Sequence, residues 1–157
     1  MKILIKNIEK SLLAVNNHIN NKEQGVNYLE KIKYLLIDKI KEMDLEITNK
    51  DEMLDSKNEI INFGENKLTL SLETHQEAIT KIKSNVQNDF LCIVLKGFAS
   101  IDIYENLNIK EFQSINLFSK TGVVLTKNTM ITKSISKDSI LLYIINDNDR
   151  SIVIKEN

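Results

Sequence analysis

The sequence predicts an α+β chain that is mainly β: an N-terminal helical segment followed by a sandwich or barrel of short strands. Three observations carry this. Apolar residues in the first fifty positions recur at spacings of three and four, the period of a helix with one buried face. From Lys67 onward the period falls to two, and short apolar runs alternate with turns built from Asn, Asp and Gly. The chain has 157 residues, 42% of them hydrophobic and 27% charged, which is enough for one packed domain with an appendage. The division expected is a two-helix segment over 1–50, a linker over 51–66 and a β domain over 67–157.

In the first helix Ile5, Ile8, Leu12, Val15 and Ile19 form the apolar stripe, and Asn16, Asn17, Asn20 and Asn21 mark its end. In the second, Val26, Leu29, Ile32, Leu36, Ile40 and Met43 line one face, widened by Leu35 and Ile37. Lone helices of this length are marginal in water, so the stripe must meet helix 1, the β domain or a second chain. Within the linker, Ile60, Ile61 and Phe63 form an apolar island, and Gly64-Glu65-Asn66 turns into the β region.

Leu68, Leu70 and Leu72 alternate with Thr69, Ser71 and Glu73, the pattern of a half-buried strand. Residues 78–83 form a further candidate that is ambiguous with helix. Phe90 to Leu95 is an unbroken apolar run, as a strand covered on both faces requires. Strands are also expected around Phe98, Ile101, Ile103 and Tyr104; around Phe112, Ile115, Leu117 and Phe118; and at 123–125, 130–135, 140–145 and 152–154. Glu105-Asn106-Leu107-Asn108, Lys120-Thr121-Gly122, Lys127-Asn128-Thr129 and Asn146-Asp147-Asn148-Asp149 supply the turns.

The counts exclude much chemistry. Cys92 is the only cysteine, so no intramolecular disulfide and no cysteine-based zinc site can form. Its place inside an apolar run makes it a small buried hydrophobe. There are two histidines, His18 and His75, so a three-histidine metal site within one chain is impossible. A net charge of -1 disfavours nucleic acid as a partner. The lysines of helix 2 are balanced by Glu23, Glu30, Asp38, Glu42 and Asp44, so a membrane surface is not expected as a partner either. Gly25, Gly64, Gly97 and Gly122 are isolated, leaving no phosphate-cradling loop. With no long apolar run and no signal-peptide pattern, a cytoplasmic protein is expected.

Leu91-Cys92-Ile93-Val94-Leu95-Lys96-Gly97 resembles the cupin strand that ends in glycine. Thr121-Gly122-Val123-Val124-Leu125-Thr126-Lys127-Asn128-Thr129 resembles the second cupin motif, in which a turn leads into a strand and an Asn-Thr loop. Asp138-Ser139-Ile140-Leu141-Leu142-Tyr143-Ile144 looks like the closing strand. The resemblance spans roughly 67–157. It implies a cupin-like double-stranded β-helix, or jelly-roll barrel, enclosing a cavity, and it implies a homodimer. Metal-binding cupins place His-x-His, a Glu and then a Gly at set spacings. Counting back from Gly97 puts the Glu slot at Phe90 and the His slots at Ser84 and Val86, or at Lys83 and Asn85. The fourth slot falls near Ile131. None of these is a good metal ligand, so neither a metal nor another cofactor is expected.

His75 and Glu77 are two residues apart, which on a strand places them on one face as a candidate acid–base pair. By alternation, Thr80, Lys81, Tyr104, Thr126 and Tyr143 are the candidate ligand contacts in the barrel. The expected function is a metal-free, homodimeric small-molecule-binding or regulatory module. Two alternatives stand beside it. One is a metal-independent isomerase, epimerase or lyase using His75. The other is an adaptor whose barrel is filled by Phe90, Phe98, Phe112 and Phe118.

Overall fold

The computed structural model describes residues 2–19, 25–43, 57–63, 66–104 and 112–146. Helix α1 (Lys2–Asn16) and helix α2 (Gly25–Lys41) come first. Nine strands follow among the described residues: β1 (Lys57–Phe63), β2 (Asn66–His75), β3 (Ile79–Asn85), β4 (Phe90–Lys96), β5 (Ala99–Tyr104), β6 (Phe112–Leu117), β7 (Thr121–Leu125), β8 (Met130–Ile135) and β9 (Ser139–Asn146). Residues 78–83, readable as helix or strand, fall mostly in β3. The turns at 105–108 and 147–149 and the strand at 152–154 lie outside the described residues. Within the stretch expected as a linker, Lys57–Phe63 form a strand, paired antiparallel with β2 from Lys57↔Leu72 to Phe63↔Asn66.

The strands make two antiparallel sheets, β1-β2-β9-β4-β7 and β3-β8-β5-β6. With β1 set aside as an addition at one edge, eight strands remain in two sets of four. Successive strands cross from one sheet to the other, except that β5 and β6 pair within one sheet. That order is a jelly roll, the cupin-like barrel expected above.

Alternation along the central strands explains the layers. On β2, β4 and β9, Leu68, Leu70, Leu72, Leu91, Ile93, Leu95, Ile140, Leu142 and Ile144 face outward from the barrel and are buried under the helices. They pack with Ile5, Ile8, Leu12 and Val15 of α1 and with Tyr28, Leu29, Ile32, Leu36 and Ile40 of α2. The helical stripe therefore meets the other helix and the sheet of its own chain. Burial of each such aliphatic side chain contributes about 1.5–3 kcal/mol, so the helices and the sheet hold each other in place. Tyr28 also donates a hydrogen bond to Asn16 Oδ1 at 2.5 Å, joining the start of α2 to the end of α1.

The opposite faces of the same strands turn toward the second sheet. Cys92, Val94, Leu141 and Tyr143 meet Ala99, Ile101, Ile131 and Ile135 there. β4 is thus covered on both sides, which is why its sequence is apolar without interruption.

Candidate functional site

Between the two sheets lies a cavity of about 240 Å³. One wall is the inward face of the larger sheet, with Ser71 and Glu73 of β2, Tyr143 and Ile145 of β9, and Phe90 of β4. The other carries Ile131 and Lys133 of β8 and Ser84 and Asn85 of β3. The rim is the link from β3 to β4, with Val86, Gln87 and Asn88. It is pinned at both ends. Val86 donates its N–H to the Thr129 carbonyl and accepts from the Asn128 N–H, each at 2.9 Å. The Asp89 carboxylate accepts from the Lys127 N–H at 2.8 Å, and its carbonyl accepts from the Asn146 N–H at 2.9 Å.

Register places Tyr143 directly between Ser71 on β2 and Cys92 on β4. Its hydroxyl accepts a hydrogen bond from Lys133 Nζ at 3.2 Å, and the Glu73 carboxylate stands close enough to act on its acidity. Glu73 Oε2 also meets His75 Nε2 at 3.1 Å. Two hydrogen-bonded pairs, Lys133 with Tyr143 and Glu73 with His75, thus form a row of neighbouring polar groups. The Lys133 ammonium lies 5.0 Å from the centre of the Tyr143 ring, within cation–π range. Phe90 meets the same ring edge-on at 5.8 Å between centroids.

Burial pushes the Tyr143 phenol well above its ordinary range, and the neighbouring Cys92 and Glu73 add to the effect. At neutral pH it is a fixed hydrogen-bond donor rather than a phenolate. Beneath it, burial pushes the Cys92 thiol up to about 12, so this cysteine is a packed thiol and no nucleophile.

The sequence candidates divide. Tyr143 lines the cavity and His75 joins its polar row. The partner of His75 is Glu73, two residues before it on the same strand face. Glu77 lies beyond the end of β2 and is exposed. Thr80 and Lys81 are exposed on the edge strand β3. There a register shift between Ile79 and Ile82, with Lys81 at φ 55°, re-aims the side chains that simple alternation had turned inward. Thr126 is exposed after β7, and half-buried Tyr104 ends β5; neither lines the cavity. Of the four phenylalanines expected to fill an adaptor's barrel, Phe90 lines the cavity, while Phe98 and Phe118 pair edge-on with Phe118 61% exposed. The Phe112 side chain is outside the described residues.

Sequence reading missed Lys133, Glu73 and Ser71. A signal for Lys133 was present: Ile131 and Ile135 flank it at spacings of two, so it occupies an inward position of an apolar strand face. The metal slots counted back from Gly97 do reach the cavity, since Ser84, Asn85, Val86, Phe90 and Ile131 all line it. They bring a hydroxyl, an amide and apolar groups. Among the described residues no three His, Cys, Asp or Glu side chains converge. The residues present do not fit a metal ion.

No protein-family model and no curated protein sequence matches the chain. Solved structures similar to it include the cupin domain of Drosophila melanogaster CENP-C, at 11% identity over 65% of this chain and 85% of that one, with a TM-score of 0.43. Another is KdgF from Halomonas sp., at 12% identity over 68% of this chain and 87% of that one, also with a TM-score of 0.43. The strand order itself defines the fold here. No described helix is long and apolar enough to cross a membrane.

Proposed function

We propose that this chain binds a small molecule in the cavity between its sheets and acts as a binding or regulatory module that needs no metal. The observation that supports this most is the interruption of an apolar barrel interior by Ser71, Glu73, Lys133 and Tyr143, gathered around one 240 Å³ space. Four polar side chains converging on one pocket between apolar walls make sense as ligand contacts. The volume corresponds to about eight water molecules and lies just under the range of drug-sized sites, so the ligand is small.

The test is thermal denaturation of the whole chain against a library of small metabolites. A ligand at about a hundred times its Kd should raise stability by about 2.7 kcal/mol, which for a chain of this size moves Tm by roughly 5–10 °C. Ser71→Leu, which narrows the cavity beside Tyr143, should abolish the shift. A library without a single Ser71-dependent ligand counts against the proposal.

The bond between His75 and Glu73 favours a second reading, in which the site is a metal-independent isomerase, epimerase or lyase. His75 is then the base, oriented by Glu73, and Tyr143 the acid. His75→Ala separates the two. Ligand binding stays nearly unchanged if the site only binds, and turnover collapses if it is catalytic.

A further inference from the structure

We infer that the occupant of this cavity is a small monocarboxylate, its anionic head on the Lys133 ammonium and its hydrocarbon part against Phe90, Ile131 and Ile145. The inference rests on the small-molecule reading above and deepens it.

Lys133 is an inward lysine between Ile131 and Ile135, half-buried in the barrel. No carboxylate of the described residues lies within ion-pair reach of its ammonium. The one carboxylate among the described residues that lines the same cavity, Glu73, is engaged by His75. An ammonium has three donors, and the Tyr143 hydroxyl takes one of them. Two remain for an occupant. No carboxylate of the described residues pairs with this ammonium directly, so an anion entering the cavity gains charge-assisted hydrogen bonds from it.

The rest of the lining fixes the class. Among the described residues Lys133 is the only cation lining the cavity, and Glu73 shares the space, so a dianion such as a phosphate monoester would be repelled more than a monoanion. A single negative charge meets less repulsion from Glu73 than a double one and still reaches the ammonium. Phe90, Val86, Ile131 and Ile145 offer apolar surface beside the polar groups, which suits a short hydrocarbon or one ring.

The experiment uses the full chain with matched probes: hexanoate and benzoate, their amides, and hexylamine and benzylamine. Saturation-transfer NMR detects contact and calorimetry gives affinity. The acids should bind about tenfold or more tightly than the amides, and the amines should not bind. Lys133→Met should weaken the acids by about tenfold while sparing the amides. Lys133→Gln serves as the second variant if the first fails to fold. Ser71→Leu should abolish binding of every probe.

The outcomes are distinguishable. Amides that bind as well as acids, or a Lys133→Met protein that keeps its affinity for acids, overturn the carboxylate inference and leave the cavity as a binding site. Acids that bind Ser71→Leu unchanged sit elsewhere, which also overturns it. If no probe of any charge binds, the small-molecule reading falls, and the inference falls with it.

Discussion

Replacing Gly97 with alanine should be among the most damaging single substitutions available in the β domain. Gly97 links β4 to β5 at φ +94°, a backbone region that side chains other than glycine's rarely adopt. Holding alanine there costs of order 1–3 kcal/mol. A Cβ at this position would also stand 2.2 Å from Ser139 Oγ, 2.8 Å from its Cβ and 3.0 Å from its Cα, so β9 itself is in the way. Ser139 is fully buried and cannot turn aside freely. Its hydroxyl donates to the Ser136 carbonyl at 2.7 Å, shares a 2.7 Å bond with the Ser136 hydroxyl, and accepts from the Phe98 N–H at 3.4 Å. Breaking that set adds about 1–3 kcal/mol for a buried polar group left unsatisfied. The sum, about 2–6 kcal/mol, is a large share of a total stability of roughly 5–15 kcal/mol. Urea denaturation measures it, and with a slope of about 1–3 kcal/mol/M the midpoint should fall by about 0.7 M or more. Gly25→Ala is the control. Gly25 also has positive φ, +65°, but nothing lies within 4 Å of its added Cβ, so it should lose only the conformational part, about 1–2 kcal/mol. Equal losses for the two variants would refute the clash with Ser139.

Two further expectations concern titration and reactivity. Tyr28 and Cys92 are pushed up to about 12 and Tyr143 is raised as well, so the folded chain keeps protons that the unfolded chain releases from pH 9 to 10 upward. Above that range the unfolded state binds fewer protons than the native state. Stability should therefore hold from neutrality to about pH 9 and fall beyond it, with Tyr143→Phe softening the fall. Urea midpoints at about pH 8 and about pH 10.5 test this, and equal midpoints would contradict it. Cys92 is fully buried, so a thiol reagent at mildly alkaline pH should label it only after denaturant is added. Rapid labelling of the native chain would show that the interior opens beside Tyr143.

Apart from β1, which falls in the stretch expected as a linker, and residues 78–83, readable either way, the sequence by itself determined the kinds of element and their order. Spacings of three and four around Ile8, Leu12, Ile32 and Leu36 could only serve a helix with one buried face. The unbroken run at β4 required cover on both sides, which the helices and the second sheet provide. Short strands separated by turns indicated a sandwich or barrel, and the resemblance around Gly97 implied the jelly roll. What alternation cannot state is what lies opposite each face. On β2 the leucines face the helices, while Ser71 and Glu73, which read equally well as solvent-facing, point into the barrel. Only the tertiary structure decided that, because a strand has two faces and its sequence does not name their neighbours. It also decided the site, since Glu73, Lys133 and Tyr143 lie on three separate strands and meet only through register and sheet packing. On β3, a one-position irregularity was enough to turn expected ligand contacts outward, a local shift to which periodicity is blind.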